Sequence, residues 1–175
     1  MNETLKLLEQ RRSVRAYREE QIAGEELEAI LQAGIWAPSA KNQQSAVIVA
    51  VQDPATVAEL SRLNAQVMGT NSDPFYGAPT VLVVLADPKA TNEINAAYDG
   101  ALVMGNLMNA AWSLGVGSCW INRAREMFSM PEGKALLAKW GLPEDLVGVG
   151  NCILGYPEGA ILPPKERRPG RIVRV

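Results

Sequence analysis

Apolar residues recur along this chain in two rhythms. In some stretches they return every three or four positions, as on one face of an α-helix; in others they run unbroken, as in a buried strand. Leu5 and Leu8 share a face in a helix predicted over Glu3–Arg11, with Asn2 or Thr4 as its cap. Leu27, Ile30, Leu31 and Ile35 define a second helix over Glu25–Trp36, which Ala37-Pro38 ends. Ala46–Val51 (AVIVAV) is too continuously apolar for a strand with one wet face, and a buried strand is predicted there. A helix over Pro54–Gln66 and a second buried strand over Pro79–Ala86 (PTVLVVLA) follow. Asn92–Leu114 gives the longest helix, apolar on almost every side from Ala101 onwards, so it calls for enclosure on all faces, part of it from a second subunit. Gly115–Ile121 and Val147–Leu154 are predicted as the third and fourth strands, with an amphipathic helix over Pro131–Trp140 between them. The tail after Gly159 is rich in proline and arginine and cannot fold on itself, but its end, Ile172-Val173-Arg174-Val175, alternates as a strand added to a sheet edge would. The pattern predicts one α+β domain over residues 1–175, helices around a mixed sheet, with an arm reaching towards a partner.

Composition narrows the chemistry. The 175 residues suffice for one domain with a real core, and the hydrophobic and charged fractions, 47% and 21%, are those of an ordinary soluble globule. Met1–Arg18 lacks the apolar core of a secretory signal, and Gly100–Val116 is interrupted by Asn106, Asn109 and Ser113, so a cytoplasmic protein is expected. The two cysteines cannot build a thiolate metal cage. Histidine is absent, which excludes Ser-His-Asp and Cys-His catalysis and the usual zinc sites and leaves a bound organic cofactor as the natural carrier of any reactivity. A formal charge of -2 argues against a general nucleic-acid binder. Positive charge gathers at the ends instead, in Arg11, Arg12, Arg15 and Arg18 and in Lys165, Arg167, Arg168, Arg171 and Arg174.

Three stretches carry candidate chemistry. Arg11-Arg12-Ser13-Val14-Arg15 lies where a helix ends, and guanidinium forks with a hydroxyl or backbone N–H beside them suit a phosphate monoester; a solvated surface is the alternative. Lys165-Glu166-Arg167-Arg168-Pro169 has the same ingredients. Ala37–Ser45 offers a row of amides and hydroxyls fit for the edge of a heteroaromatic ring, or else a polar turn. Gly115–Asn122 (GVGSCWIN) has two glycines but lacks the third glycine and the later acidic residue of a dinucleotide-binding fold, and its glycines also serve simply to turn the chain into a strand.

Taken in order, RRSVR, APSAKNQ, DPFYGAPTVLVV, GALVMGNLMNAAWSLGVGSCWI and LGYPEG with PPKERRP resemble the nitroreductase family of FMN-dependent oxidoreductases over nearly the whole chain. The resemblance implies a nitroreductase-like fold and an intertwined homodimer with FMN in a cleft at the subunit interface. By position it assigns Arg11, Ser13, Lys165 and Arg167 to the phosphate and ribityl end, Arg12 mainly through its backbone, and Arg15 to the pyrimidine edge. It places Pro38, Ser39, Ala40 and Asn42 of the other subunit at the cofactor, Asn71 at the ring edge, and Trp120, Ile121 and Asn122 along the flavin face, with backbone groups near N5. Phe75, Tyr76, Asn122 and Arg123 are the expected substrate contacts, and no protein base or metal is needed. The chain departs from many relatives at Ala40, where a second serine is common, and at Gln44-Ser45.

The activity implied is a two-step, ping-pong exchange at one site, NADH or NADPH giving hydride to the flavin and a nitroaromatic, quinone or similar flat acceptor taking the electrons. Flavin fragmentation, reductive dehalogenation, and a non-catalytic FMN-binding or storage role are the alternatives.

Overall fold

The computed structural model describes residues 2–175. Its first helix, α1 (Glu3–Gln10), starts where expected because the Asn2 side chain accepts from the Leu5 N–H at 2.9 Å. The other elements are α2 (Gly24–Ile35), a 3-10 turn at Ala40–Asn42, β1 (Ala46–Val51), α3 (Pro54–Met68), β2 (Thr80–Ala86), α4 (Glu93–Ser113), β3 (Gly117–Ile121), α5 (Ala124–Ser129), α6 (Pro131–Lys139) and β4 (Val147–Gly155). Side chains fix several helix starts: Asp53 accepts from the Thr56 N–H ahead of α3, with Pro54 pre-set for the first turn, and Asn92 accepts from Asn95 ahead of α4. No helix among the described residues is long and apolar enough to cross a membrane.

The strands form one sheet in the order β1-β2-β4-β3, with every neighbouring pair antiparallel. This corrects the expectation of a mixed sheet. α3 leads away from the end of β1, and residues 69–79 carry the chain back to that same end, so that Val51 faces Val81 and β2 runs the opposite way. The parallel element is confined to an isolated bridge between Ser13 and Ser118 on the outer edge of β3.

β2 is buried throughout and alternates between two apolar layers. Val81, Val83 and Leu85 pack with Cys119, Ile121 and Ile153 under α3, α5 and α6. Leu82 and Val84 pack with Cys152 and Leu154 under α2 and α4. β1, expected to be buried, is largely half-exposed because it is an edge strand with a single neighbour. Gly148 and Gly150 on β4 admit close neighbours: a Cβ at Gly148 would lie 2.2 Å from the Ala124 carbonyl oxygen, and one at Gly150 would lie 2.7 Å from the Trp120 indole nitrogen.

α4 is not enclosed on all faces within one chain. Its Val103, Met104 and Leu107 are buried, whereas Ile94, Tyr98 and Leu102 are exposed, beside exposed Leu5 and Leu8 on α1 and Trp36 at 82% exposure. Residues 160–175 are exposed and carry no strand.

Candidate functional site

The arginine-rich loop begins where α1 ends. The Arg11 N–H donates to the Leu7 carbonyl as the helix closes, and the backbone turns extended. Residues 14–18 are then stitched to the sheet. Val14 N–H donates to the Ser118 carbonyl at 2.9 Å, Arg18 N–H to the Tyr156 carbonyl at 3.0 Å, and Glu158 N–H to the Ala16 carbonyl at 2.9 Å. Tyr17 anchors the loop from below: it is buried, its hydroxyl donates to the Val14 carbonyl at 2.6 Å, and burial, with Cys119 nearby, raises its pKa. The loop therefore spans the start of β3 and the end of β4, with Ser13, Arg15 and Arg18 facing solvent.

Arg11 and Arg12 differ in what their side chains do. Arg12 Nη1 donates to the carbonyls of Glu9 and Arg11 at 2.8 and 2.6 Å, closing the C-terminus of α1 with a cation. Arg11 Nη1 and Ser118 Oγ are both buried without a hydrogen-bond partner among the described residues. Burial, with Cys119 nearby, pushes the Cys152 thiol up to about 12, and the Arg11 charge is felt there as a smaller opposing effect. A guanidinium N–H is expensive to leave unpaired, and its pairing with an anion is the usual remedy.

The Pro38–Ser45 segment is a second built loop. Three of its non-glycine residues, Lys41, Asn42 and Gln44, have left-handed φ values of 51, 56 and 50°. Asp99 on α4 holds both ends: its carboxylate accepts from the Ala40 N–H at 2.8 Å and from the Ser45 hydroxyl at 2.7 Å, while Ser39 Oγ accepts from the Gln44 N–H at 2.9 Å. Pro38, Ser39 and Gln44 line a pocket of about 250 Å³ with Asp99 and Val103. Sequence reasoning missed Asp99. Its signal was a carboxylate opening an otherwise apolar run, AYDGALVMG, on the long helix.

A third group sits where β3 ends. Trp120 is half-buried, Ile121 buried and Asn122 exposed. Arg123 is left-handed, with φ 76°, at the start of α5 and has no side-chain cap bond. Its Nε donates to Asn64 Oδ1 at 3.0 Å, and Asn64 Nδ2 donates to the Asn122 carbonyl at 2.8 Å. Arg123 is thus engaged from beneath by a residue that sequence reasoning did not single out.

Asn71 is exposed and lines a larger concavity of about 930 Å³ along α3 and the 70–79 loop, which includes none of the arginines of the 11–18 loop. Phe75, expected at the substrate, is 1% exposed and packs in the core, because Asp73 folds this turn by accepting from the Phe75 and Gly77 N–H groups. That corrects its assignment. Tyr76 beside it is exposed, with a left-handed φ of 56°. Within one chain the 11–18 loop meets the start of β3, but among the described residues no hydrogen bond or ion pair joins it to the 38–45 loop, or joins residues 160–175, with Lys165 and Arg167, to the body. No cluster of metal-binding side chains occurs among the described residues.

Comparison with known proteins bears on this arrangement. The family model described as the nitroreductase family matches residues 8–73 and 65–156. A protein of Archaeoglobus fulgidus named as an NADH dehydrogenase/NAD(P)H nitroreductase is 34% identical over 160 residues, which cover 90% of this chain and 87% of that protein. The crystal structure of a Bacteroides fragilis nitroreductase with bound FMN is similar over 100% of both chains, at 34% identity and a TM-score of 0.90. A Desulfitobacterium hafniense nitroreductase with bound FMN, 28% identical, covers 100% of this chain and 99% of its own, with a TM-score of 0.87. With its sequence motifs in order and its helices and antiparallel sheet superposing at full length on those structures, the chain belongs to the nitroreductase family.

Proposed function

We propose that the protein is an FMN-dependent NAD(P)H oxidoreductase that reduces nitroaromatic, quinone or similar flat acceptors in two steps at one site. The observation that carries the reading is the buried Arg11 Nη1, without a partner among the described residues, at the head of a loop stitched to β3, the strand that carries the equally unpartnered Ser118 hydroxyl. A cation and a hydroxyl held in place with free bonding capacity fit a phosphate monoester. FMN, when bound, supplies the hydride and electron transfer that a chain without histidine cannot perform with its own side chains.

The remaining work falls to the chain. Arg11 and Ser13 hold the phosphate and ribityl end together with Lys165 and Arg167, and Arg12 contributes mainly its backbone, its Nη1 donating to the Glu9 and Arg11 carbonyls. Arg15, exposed on the same loop, stands at the pyrimidine edge, where a fixed positive charge favours the reduced, anionic ring. Pro38, Ser39, Ala40 and Asn42 come from a second copy of the chain. Asn71 meets the ring edge, and the backbone of Trp120, Ile121 and Asn122 lines its face. Tyr76 and Asn122, both exposed, face the acceptor. Homodimerisation is supported by the apolar residues that one chain leaves open on α1 and α4 and at Trp36.

The test is direct. The purified protein should be yellow, or take up added FMN, and NADH or NADPH should bleach it without air. Arg11→Ala should weaken FMN binding by about 1.5–3 kcal/mol, the range for hydrogen bonds to charged groups. A protein that takes up no FMN refutes the reading, and bleaching by dithionite but by neither nicotinamide would make it a binding protein instead.

A further inference from the structure

We propose that Asn64, on α3, is the positioning residue that holds the turn at Asn122 and Arg123 in its working shape. The side chain is 0% exposed and forms three contacts. Nδ2 donates to the Asn122 carbonyl at 2.8 Å and lies 3.2 Å from the Met127 sulfur, and Oδ1 accepts from Arg123 Nε at 3.0 Å. Asn151 Nδ2 on β4 reaches the same sulfur at 3.5 Å. One primary amide thus joins α3 to both residues of the turn and to the first helix after it.

The turn needs such a hold. Arg123 carries a Cβ and adopts a left-handed conformation, φ 76° and ψ 6°, where side chains other than glycine are disfavoured. It also starts α5 without a side-chain cap, so nothing local fixes the direction in which the chain leaves β3. Asn64 supplies both a donor for one residue and an acceptor for the next, a combination that Asp and Leu lack. Strain at a non-glycine residue persists where surrounding structure over-determines it, and such places gather at functional sites.

This inference rests on the proposed cofactor reading, which puts the backbone of residues 120–122 against the flavin face. Asn64 touches no ligand itself, being fully buried. Its effect runs through the Asn122 carbonyl: when the hold is lost, the turn relaxes and the peptide groups at the ring shift. Small displacements at a reacting centre lower the rate far more than they weaken binding of the distant phosphate.

The experiment is a double-mutant cycle in the full-length, FMN-loaded protein. Asn64→Leu removes the hold, Asn64→Asp removes the amide donor that meets Asn122 and Met127 while keeping an acceptor for Arg123, and Arg123→Gly relieves the left-handed strain. Kinetics with NADH or NADPH and a quinone acceptor are read alongside the visible circular dichroism of the bound flavin and its reduction potential. With Arg123 present, each Asn64 variant should lower kcat by about tenfold or more with little change in KM, and should alter the flavin dichroism. With Arg123→Gly, the same Asn64 changes should cost less than about a third as much, as coupled residues require. A yellow wild-type protein whose Asn64 variants match it in kcat and dichroism would overturn this inference alone, as would losses that Arg123→Gly leaves unchanged. If Asn64→Leu does not fold, Asn64→Asp decides. A wild-type chain that binds no FMN would remove the cofactor reading and this inference with it.

Discussion

Single residues inside this fold are held in states that pH can test. Burial pushes the Cys152 thiol from an ordinary value of 9.0 up to about 12, with Cys119 adding to the effect and Arg11 opposing it, and burial likewise raises Tyr17 from 10.0. In each case the folded state keeps a proton that the unfolded chain releases. Their contribution to stability is therefore complete below about pH 9 and declines as the pH rises, Cys152 first and Tyr17 above its ordinary value, each by at most about 1.4 kcal/mol per pH unit. Urea midpoints measured across this range should fall steadily, and Tyr17→Phe should flatten the fall above about pH 10. An unchanged slope in that variant would show that Tyr17 does not titrate out of a buried site. The same scale separates what the sequence discloses from what it hides. Arg11 is visible because several arginines crowd a helix end in an acidic protein. Asp99 and Asn64 are not: each is one polar letter in a helix that reads as amphipathic or apolar, and only the bonds to Ala40, Ser45, Asn122 and Arg123 give it meaning. Phe75 misled in the opposite sense, since an aromatic in a polar loop reads as a contact until Asp73 is seen to tuck it inside.

Elements with strong period were legible and short ones were not. β2 and α4 are found within a residue or two of their predicted limits because their apolar runs exceed what any loop would tolerate. α5 was missed, since Ala124–Ser129 has too few turns to show a period and starts at a left-handed arginine with no capping side chain. Strand direction was also hidden: alternating helices and strands suggest parallel crossovers, and only the return through residues 69–79 makes β1 and β2 antiparallel. α5 gives the clearest prediction here, because its first residues lie on Gly148 of β4. Gly148→Ala would place a methyl group 2.2 Å from the backbone oxygen of Ala124, so the helix must move, at a cost of about 1–3 kcal/mol. Gly24→Ala is the control: nothing lies within 4 Å of an added Cβ there, and alanine in a helix should leave stability unchanged or raise it by up to about 1 kcal/mol. Chemical denaturation of both variants checks the contrast, and equal stabilities would show that α5 yields freely.

At the scale of the whole molecule, the parts of the proposed site lie on segments that one chain does not join by hydrogen bonds or ion pairs among the described residues. Among the described residues, the loop at Arg11, the strained loop at Asn42 and the tail with Lys165 and Arg167 share no hydrogen bond or ion pair, and Tyr98, at 65% exposure, and Leu102 leave apolar surface open on α4. If the tail crosses to a second copy, each cofactor site draws Arg11 from one chain and Lys165 and Arg167 from the other. Two defective chains can then repair one another. A chain lacking residues 160–175 should fold, since among the described residues no hydrogen bond or ion pair anchors that segment, yet lose FMN; full-length Arg11→Ala should bind FMN weakly. Paired in a heterodimer purified through two different tags, the shortened chain keeps its own Arg11 and receives the tail of its partner, restoring about half the wild-type FMN content. A tail that folds back on its own body gives no such repair, because each site would then lack either Arg11 or the tail. The flavin absorbance of that heterodimer therefore decides whether the arm completes its own chain or its neighbour.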